Sequence, residues 1–404
     1  PNLRAMAVTG EVRDYSFDKR VAQVTLSRRK MTQVEIMSQL SWTAKTDCSR
    51  SDISVRRGFS SREYESRIAK SDDHDPARAR DILVYVLGCV ALWPGTDFCS
   101  MPARLGSDDF VLEETVHRLR TLGLFQFDYM SGLYELTDAG QLAWACMSAT
   151  NASCGFELSY LFSNVADKQN PMAPGLQTTI IRITSLLLVG LRNLLLDDPD
   201  MSDEDREALR DQCSTTGKEN FDKGAVWVLL GLWEAIESEA ENIAALPSSV
   251  HKLGKFRIST RAIHNVWLIQ RELHHKSKIA YRAPAVLSQD EITSIERDLM
   301  RAYLHRVVFV DSNQMRYEPR QHDVVSRQEV SVGEEFCDIE ALRDSEPNGF
   351  FAIYEELFKT ADGGYHVSGL TYIPTVLYRE LDANQVPTGL AFPMCVAPVF
   401  PITE

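Results

Sequence analysis

Residues 117–147 read HRLRTLGLFQFDYMSGLYELTDAGQLAWACM, and several local signals follow one another along them. Leu112, Val116, Leu119 and Leu122 recur at helical spacing over residues 108–122. Gly123 supplies a C-terminal stop. LFQFDY and LYELT then form two short strands around the turn Met130-Ser131-Gly132. Thr137 and Asp138 can cap a helix that begins at Ala139. Just upstream, residues 77–92 (ARARDILVYVLGCVAL) read as a helix stopped near Pro94-Gly95.

Helix, helix, hairpin, helix is the order of a winged helix, which has two uses. A DNA reader wants Lys and Arg on the second helix, because phosphate attraction supplies most of the affinity. Here Glu113 and Glu114 nearly cancel Arg118 and Arg120, which favours a packing module over a reader.

The 404 residues are 44% hydrophobic and 25% charged, an ordinary globular balance. The chain is too long for one core, so two to four domains are expected. Lys and Arg number 43 against 57 Asp and Glu, a net charge of -14 that argues against a protein coating nucleic acid without specificity. The eight cysteines (Cys48, Cys89, Cys99, Cys146, Cys154, Cys213, Cys337, Cys395) form no C-x-x-C pair and lack zinc-finger spacing with His. They read as buried small hydrophobes in a reducing, intracellular compartment, nuclear or cytoplasmic. Residues 178–196 are the most apolar run but contain Arg182 and Arg192, so they read as a buried helix and no membrane contact is expected. The chain opens on Pro1 rather than Met, and it is expected to be a fragment or a processed product.

Four zones separate. Residues 1–72 are polar, with β-like runs at AMAVT and VAQVTL, and look like the end of an α/β domain. Residues 73–150 hold the winged-helix pattern. Residues 151–282 are mostly helical, with one helix expected over 176–196, an acidic one over 201–211 and a central buried one over 225–238 (AVWVLLGLWEAIES). Trp227, Trp233 and Trp267 read as core rather than as base-stacking platforms. Residues 283–404 begin with a helix over 289–305, capped by Ser288 with Glu291 at its third position, and continue as short strands that suggest a small barrel.

Charge is uneven. Residues 251–282 carry Lys252, Lys255, Arg257, Arg261, Arg271, Lys276, Lys278 and Arg282 against the single acid Glu272, a local net charge of +7. That strip reads either as a solvated helix face or as a track for a phosphate backbone. His251, His264, His274 and His275 share the stretch, but His274 and His275 are adjacent and cannot share a helix face, so no metal site is expected. Residues 283–404 carry 9 basic and 20 acidic residues, net -11, which suits a basic protein partner better than RNA.

The order of zones resembles the C-terminal half of DEAH/RHA-type (DExH-box) RNA helicases, and the resemblance covers nearly the whole chain. In the winged helix, Leu119, Leu122, Gly123, Leu133, Leu136, Thr137 and Gly140 match the family pattern. In FDKGAVWVLLGLWEA, Asp222 and Trp233 match, while Lys223 and Ala225 replace a family His and Thr. In ISTRAIHNVWLIQREL, Arg261, Ile263, Ile269 and Leu273 match, but Gln270 stands for a family arginine. Tyr354, Glu356, Leu357, Thr360, Tyr365 and Ile373 match in the last zone, where a family lysine falls near Asp362.

The resemblance implies a multidomain α+β chain: the end of a second RecA-like domain (1–72), a winged helix (73–150), a helical ratchet bundle (151–282) and an OB-like β-barrel (283–404). It implies RNA-binding candidates at Arg257, Arg261, Lys276, Lys278, Arg282, Arg316 and Thr360. It also exposes a degenerate arginine motif. Gln39 matches, but Leu40, Thr43 and Thr46 stand where the family has arginines, and Trp42 and Lys45 replace glycines. Losing a guanidinium that stabilises a γ-phosphate costs roughly 10³–10⁵ in rate, and Leu or Thr cannot substitute. The chain has no G-x-x-x-x-G-K-[ST] and no D-E-A-H, so it carries no cofactor of its own; ATP and Mg²⁺ would come only with upstream domains.

Three functions are consistent with these residues. One is an ATPase-inactive module that binds single-stranded RNA or protein partners within a larger assembly. Another is the C-terminal part of an active ATP-dependent RNA helicase, with Arg50, Arg56 or Arg57 supplying the missing finger. The third is a scaffold that binds protein only.

Overall fold

The computed structural model describes residues 5–8, 11–18, 23–30, 54–57, 82–93, 115–116, 119–120, 122–128, 133–149, 156–166, 172–197, 201–239, 243, 246, 250–311, 321–324, 328–333, 336–346, 349–360 and 362–378. Its first strands are β1 (Ala5–Val8), β2 (Glu11–Asp18), β3 (Gln23–Lys30) and β4 (Ser54–Arg57). β1 and β4 pair in parallel, Ala5 opposite Ser54, which requires a crossover between them. β2 and β3 form an antiparallel hairpin from Glu11↔Lys30 to Asp18↔Gln23. Gln39, Leu40, Thr43 and Thr46 lie outside the described residues.

The next elements are α1 (Ile82–Leu92), β5 (Phe125–Asp128), β6 (Leu133–Leu136) and α2 (Asp138–Ala149). β5 and β6 pair antiparallel, Phe125 opposite Leu136. The Thr137 hydroxyl accepts the Gly140 N–H at 3.0 Å and donates to the Gly123 carbonyl at 2.6 Å, tying the α2 cap to the turn before β5. α2 crosses so near that turn that a Cβ at Gly140 would sit 2.2 Å from the Leu124 carbonyl oxygen. Leu87, Leu119, Leu124, Ala143 and Cys146 are buried together beneath this hairpin. Of residues 108–122, only 115–116, 119–120 and 122 are described, the first four of them helical.

The central zone packs α3 (Phe156–Ser163), α4 (Pro174–Val189), α5 (Leu191–Leu194), α6 (Asp203–Gln212), α7 (Thr215–Glu219), α8 (Ala225–Glu239) and α9 (Thr260–Ser277). A small hairpin, β7 (His251–Leu253) with β8 (Phe256–Ile258), precedes α9. α8 is buried on every side from Ala225 to Ile236, as its apolar run, interrupted only by Glu234, predicts, and Trp227 and Trp233 are core. The single helix expected over 176–196 is two. The chain leaves α4 at Gly190, a poor helix former, and Leu195 then bridges Ile258 beside β8. Arg182 is buried and Arg192 exposed. Among the described residues no helix is long and apolar enough to cross a membrane.

The last zone opens with α10 (Gln289–Ala302), whose Ser288–Glu291 capping box forms as expected. Then come β9 (Val307–Val310), β10 (Gln321–Asp323), β11 (Ser331–Val332), α11 (Ile339–Ser345), β12 (Phe350–Ile353), β13 (Glu356–Lys359), β14 (Tyr365–Ser368) and β15 (Thr371–Ile373). Residues 375–378 make one helical turn after β15. The strands do not close into the expected barrel among the described residues. They form one sheet in the order β10-β9-β12-β15 and another in the order β11-β14-β13-β3-β2. The second sheet borrows the N-terminal hairpin: Phe358 pairs with Leu26, Lys359 Nζ lies 2.7 Å from Asp18, and the Tyr365 hydroxyl donates to Asp18 at 3.1 Å.

The helical zone is sewn to this zone through residues 222–226. The Ala225 N–H donates to the Leu370 carbonyl at 2.9 Å, Tyr372 to Lys223 at 2.7 Å, and Asp338 to Asp222 at 3.0 Å. Lys223 Nζ also pairs at 3.0 Å with Glu296, a carboxylate on the buried face of α10.

Candidate nucleic-acid interface

The basic strip surrounds α9. Ser259 starts the helix by accepting the Ala262 N–H, and Lys278 ends it in the left-handed conformation at φ 59°. An extended strap, residues 279–288, then runs to α10. The 18 residues of α9 span about 27 Å, so its two ends are separate sites.

Folding neutralises much of the strip. Arg257 Nε pairs with Asp197 at 2.8 Å, and its backbone N–H donates to the same carboxylate at 2.7 Å. Lys255 pairs with Asp205 and, with Ser202, holds that carboxyl below the usual carboxylate range. Lys276 sits 3.6 Å from Glu272 one turn away. Arg271 stacks over the half-buried Trp267 ring at 4.6 Å. Of the sequence candidates, Arg261, Lys278 and Arg282 are exposed and have no side-chain partner among the described residues; Lys252 joins them. Lys278, at the C-terminal end of α9, and Arg282, on the strap that follows, are close in sequence, and Arg261 lies at the far end of α9. Thr360 is elsewhere, in the turn between β13 and β14, where its hydroxyl donates to Asp362. Arg316 lies outside the described residues.

Under the strap is a buried polar cluster. The Arg182 side chain, 2% exposed, reaches Glu237 at 3.2 Å. Its other arm donates to the Arg282 carbonyl, and the guanidinium lies over the Tyr281 ring, 5.4 Å from the centroid. His274 meets the same ring edge-on at 5.8 Å, with its Nδ1 3.0 Å from the Ile279 carbonyl oxygen. Burial pushes the His274 imidazole below its ordinary value. Burial also raises the Glu237 carboxyl, and the Arg182 guanidinium beside it partly offsets the rise. Glu234, one helical step away, is raised by burial too; one oxygen accepts from the Ser214 hydroxyl at 2.6 Å and the other has no hydrogen-bond partner.

The sign of the pH dependence follows. Carboxyls raised above 4.5 in the folded chain retain protons that the unfolded chain has released. Their contribution to stability is complete below that value and declines as pH rises through the raised folded value. Glu234→Gln removes one such group. The variant is expected to melt above the parent near pH 8 and close to it near pH 4. Melting curves at the two pH values check this, and a variant that melts below the parent at pH 8 refutes it.

A cleft of about 470 Å³ opens elsewhere, between α6 and the start of α11, lined by Asp203, Arg206, Glu207, Asp222, Asp338 and Glu340 among others. At its wall, burial pushes the Cys337 thiol up to about 12, as it does Cys213, so neither is an activated nucleophile. Cys89 and Cys146 are likewise buried, in keeping with small core hydrophobes. Among the described residues no group of three His, Cys, Asp or Glu is placed to hold a metal ion.

No family model matches the chain. No curated protein matches it either. Its fold does match a solved structure, the E. coli DExH-box NTPase HrpB, at a TM-score of 0.50 and 12% identity, over 95% of this chain and 35% of HrpB. The fold therefore resembles part of that DExH-box NTPase, and the chain spans about a third of its length.

Sequence reasoning found the free cations but missed Tyr281 and the role of Arg182. A signal for Arg182 was present: a charge inside an apolar helix needs a buried acid, and the other largely apolar helix carries Glu234 and Glu237.

Proposed function

We propose that the chain is the C-terminal part of a DExH-box helicase-like protein, and that it binds single-stranded RNA on the α9 strap as a module of a larger intracellular assembly, nuclear or cytoplasmic, without hydrolysing ATP. The observation that carries this reading is the fold likeness to a DExH-box NTPase along 95% of the chain. Within that frame the domains are a RecA-like remnant (1–72), a winged helix (73–150), a ratchet-like bundle (151–282) and an OB-like zone (283–404). Lys278 and Arg282 at the strap, and Arg261 at the far end of α9, are exposed, have no side-chain partner among the described residues and supply phosphate contacts in a chain whose net charge is -14. The missing Walker motif and the Leu40, Thr43 and Thr46 replacements support inactivity toward ATP.

The test is fluorescence anisotropy of the whole chain with a 12-nucleotide RNA across a salt series. Micromolar binding with a steep salt slope is expected. Arg261→Ala/Lys278→Ala/Arg282→Ala flattens that slope by about 0.7 for each phosphate that is no longer neutralised. Arg257→Ala, which removes a cation already paired with Asp197, leaves it nearly unchanged. No binding at low salt refutes the RNA reading. The scaffold reading then takes its place, favoured by the -11 charge of residues 283–404.

A further inference from the structure

Tyr281 is out of place by hydrophobic logic. It is 55% exposed on an extended strap that belongs to no helix or sheet. Yet its ring is held firmly from below. Arg182 lies over one face, and the same guanidinium is fixed by Glu237 and by the carbonyl of the next residue, Arg282. His274 closes one edge. The outward face of the ring is left to solvent.

The strap around the ring is cationic. Lys278 is three residues before it and Arg282 one residue after it, and both side chains lack partners among the described residues. In extended backbone these positions lie within about 10 Å of the ring's Cα. An open aromatic face with a cation on each side satisfies both halves of a nucleotide: the base stacks, and the flanking phosphates are neutralised. Because the Arg182 guanidinium under the ring is already held by Glu237 and the Arg282 carbonyl, less side-chain freedom is left to lose on binding. Bases in a duplex are already stacked and paired, so this arrangement selects a single strand.

We propose that Tyr281 is a stacking platform for one unpaired base of a single-stranded RNA, with Lys278 and Arg282 holding the phosphates beside it. The assignment rests on the RNA-binding reading above and names its site. It separates the strap from the far end of α9, where Arg261 contributes charge alone.

The experiment uses the whole chain, fluorescein-labelled 12-nucleotide oligoadenylate, and an abasic ribose-phosphate strand of the same length and charge. The parent should bind the base-bearing strand more tightly than the abasic one. Tyr281→Ala should weaken oligoadenylate binding about tenfold and leave abasic binding and the salt slope unchanged. Tyr281→Phe and Tyr281→Trp should keep the parent's preference for bases. Lys278→Ala/Arg282→Ala should weaken both strands and reduce the slope. Should Tyr281→Ala fold poorly, Tyr281→Leu against Tyr281→Phe makes the same comparison, since both are apolar and only Phe can stack. Equal weakening on both strands assigns the ring to structure and overturns the proposal. Unchanged binding to both strands overturns it while the RNA reading stands. A parent that binds neither strand refutes both.

Discussion

Gly224→Ala is expected to destabilise the chain by about 3–5 kcal/mol, combining strained backbone with overpacking. Gly224 has φ 119°, outside the range that L side chains adopt readily. An added Cβ would also meet the Leu370 carbonyl oxygen at 2.1 Å and the Thr371 Cα at 2.7 Å. Both are backbone, so neither can turn aside. Relief requires separating residues 222–226 from β15, which breaks the hydrogen bonds from Ala225 to Leu370 and from Tyr372 to Lys223. The Lys223–Glu296 pair goes with them and leaves a carboxylate, 1% exposed, unanswered. Trp227 and Trp233 report on this region, so tryptophan fluorescence in urea is the measurement. A marked fall in the transition midpoint is expected, together with new protease cleavage at the junction. An unchanged midpoint would mean that the junction contributes nothing to stability.

Arg182→Met should cost about 3–5 kcal/mol, the penalty for removing one member of a buried pair. Methionine fills most of the volume but answers no charge. Glu237 loses its ion-pair partner, the Arg282 carbonyl loses a donor, and the Tyr281 ring loses its support. The pH dependence identifies the cause. Without Arg182 the Glu237 carboxyl rises further, because that arginine opposes the effect of burial. The variant's deficit should therefore be greatest near pH 8 and shrink on acidification, as the stranded carboxylate becomes neutral. Arg182→Met/Glu237→Leu should recover much of the loss, since an apolar pair of similar volume often replaces a buried ion pair without penalty. Thermal unfolding of the three proteins at both pH values decides it. A deficit independent of pH, or a double variant no better than the single, would assign the effect of Arg182 to packing alone.

Much of the local architecture was readable from residue order. Leu119, Leu122 and Gly123, the FQFD and LYEL runs and Thr137 announced the turn, the hairpin and the cap, because each rests on interactions within a few residues. Ser288 and Glu291 announced their capping box for the same reason. The break at Gly190 was missed because the apolar pattern continues through it, while Leu195 is recruited by Ile258, a residue far along the chain. The site was half legible. The sequence pointed to eight cations, but which of them remain free was decided by Asp197 and Asp205, acids 60 and 50 residues from Arg257 and Lys255. Tyr281 gave no periodic signal, since the strap has no period.

What the amino-acid order determined by itself is the β5–β6 hairpin with its cap, the Ser288–Glu291 capping box, the buried character of α8 and the basic sign of residues 251–282. Those features follow from propensity, capping and hydrophobic periodicity, which act over one or two turns of chain. Tertiary structure alone decided that β3 pairs with β13 at Leu26 and Phe358, that residues 222–226 lock onto β15, and that Arg182 supports Tyr281 from beneath. Strand partners, ion-pair partners and exposed rings depend on which distant surfaces are buried together, and that is set by the packing of the whole chain rather than by any local pattern.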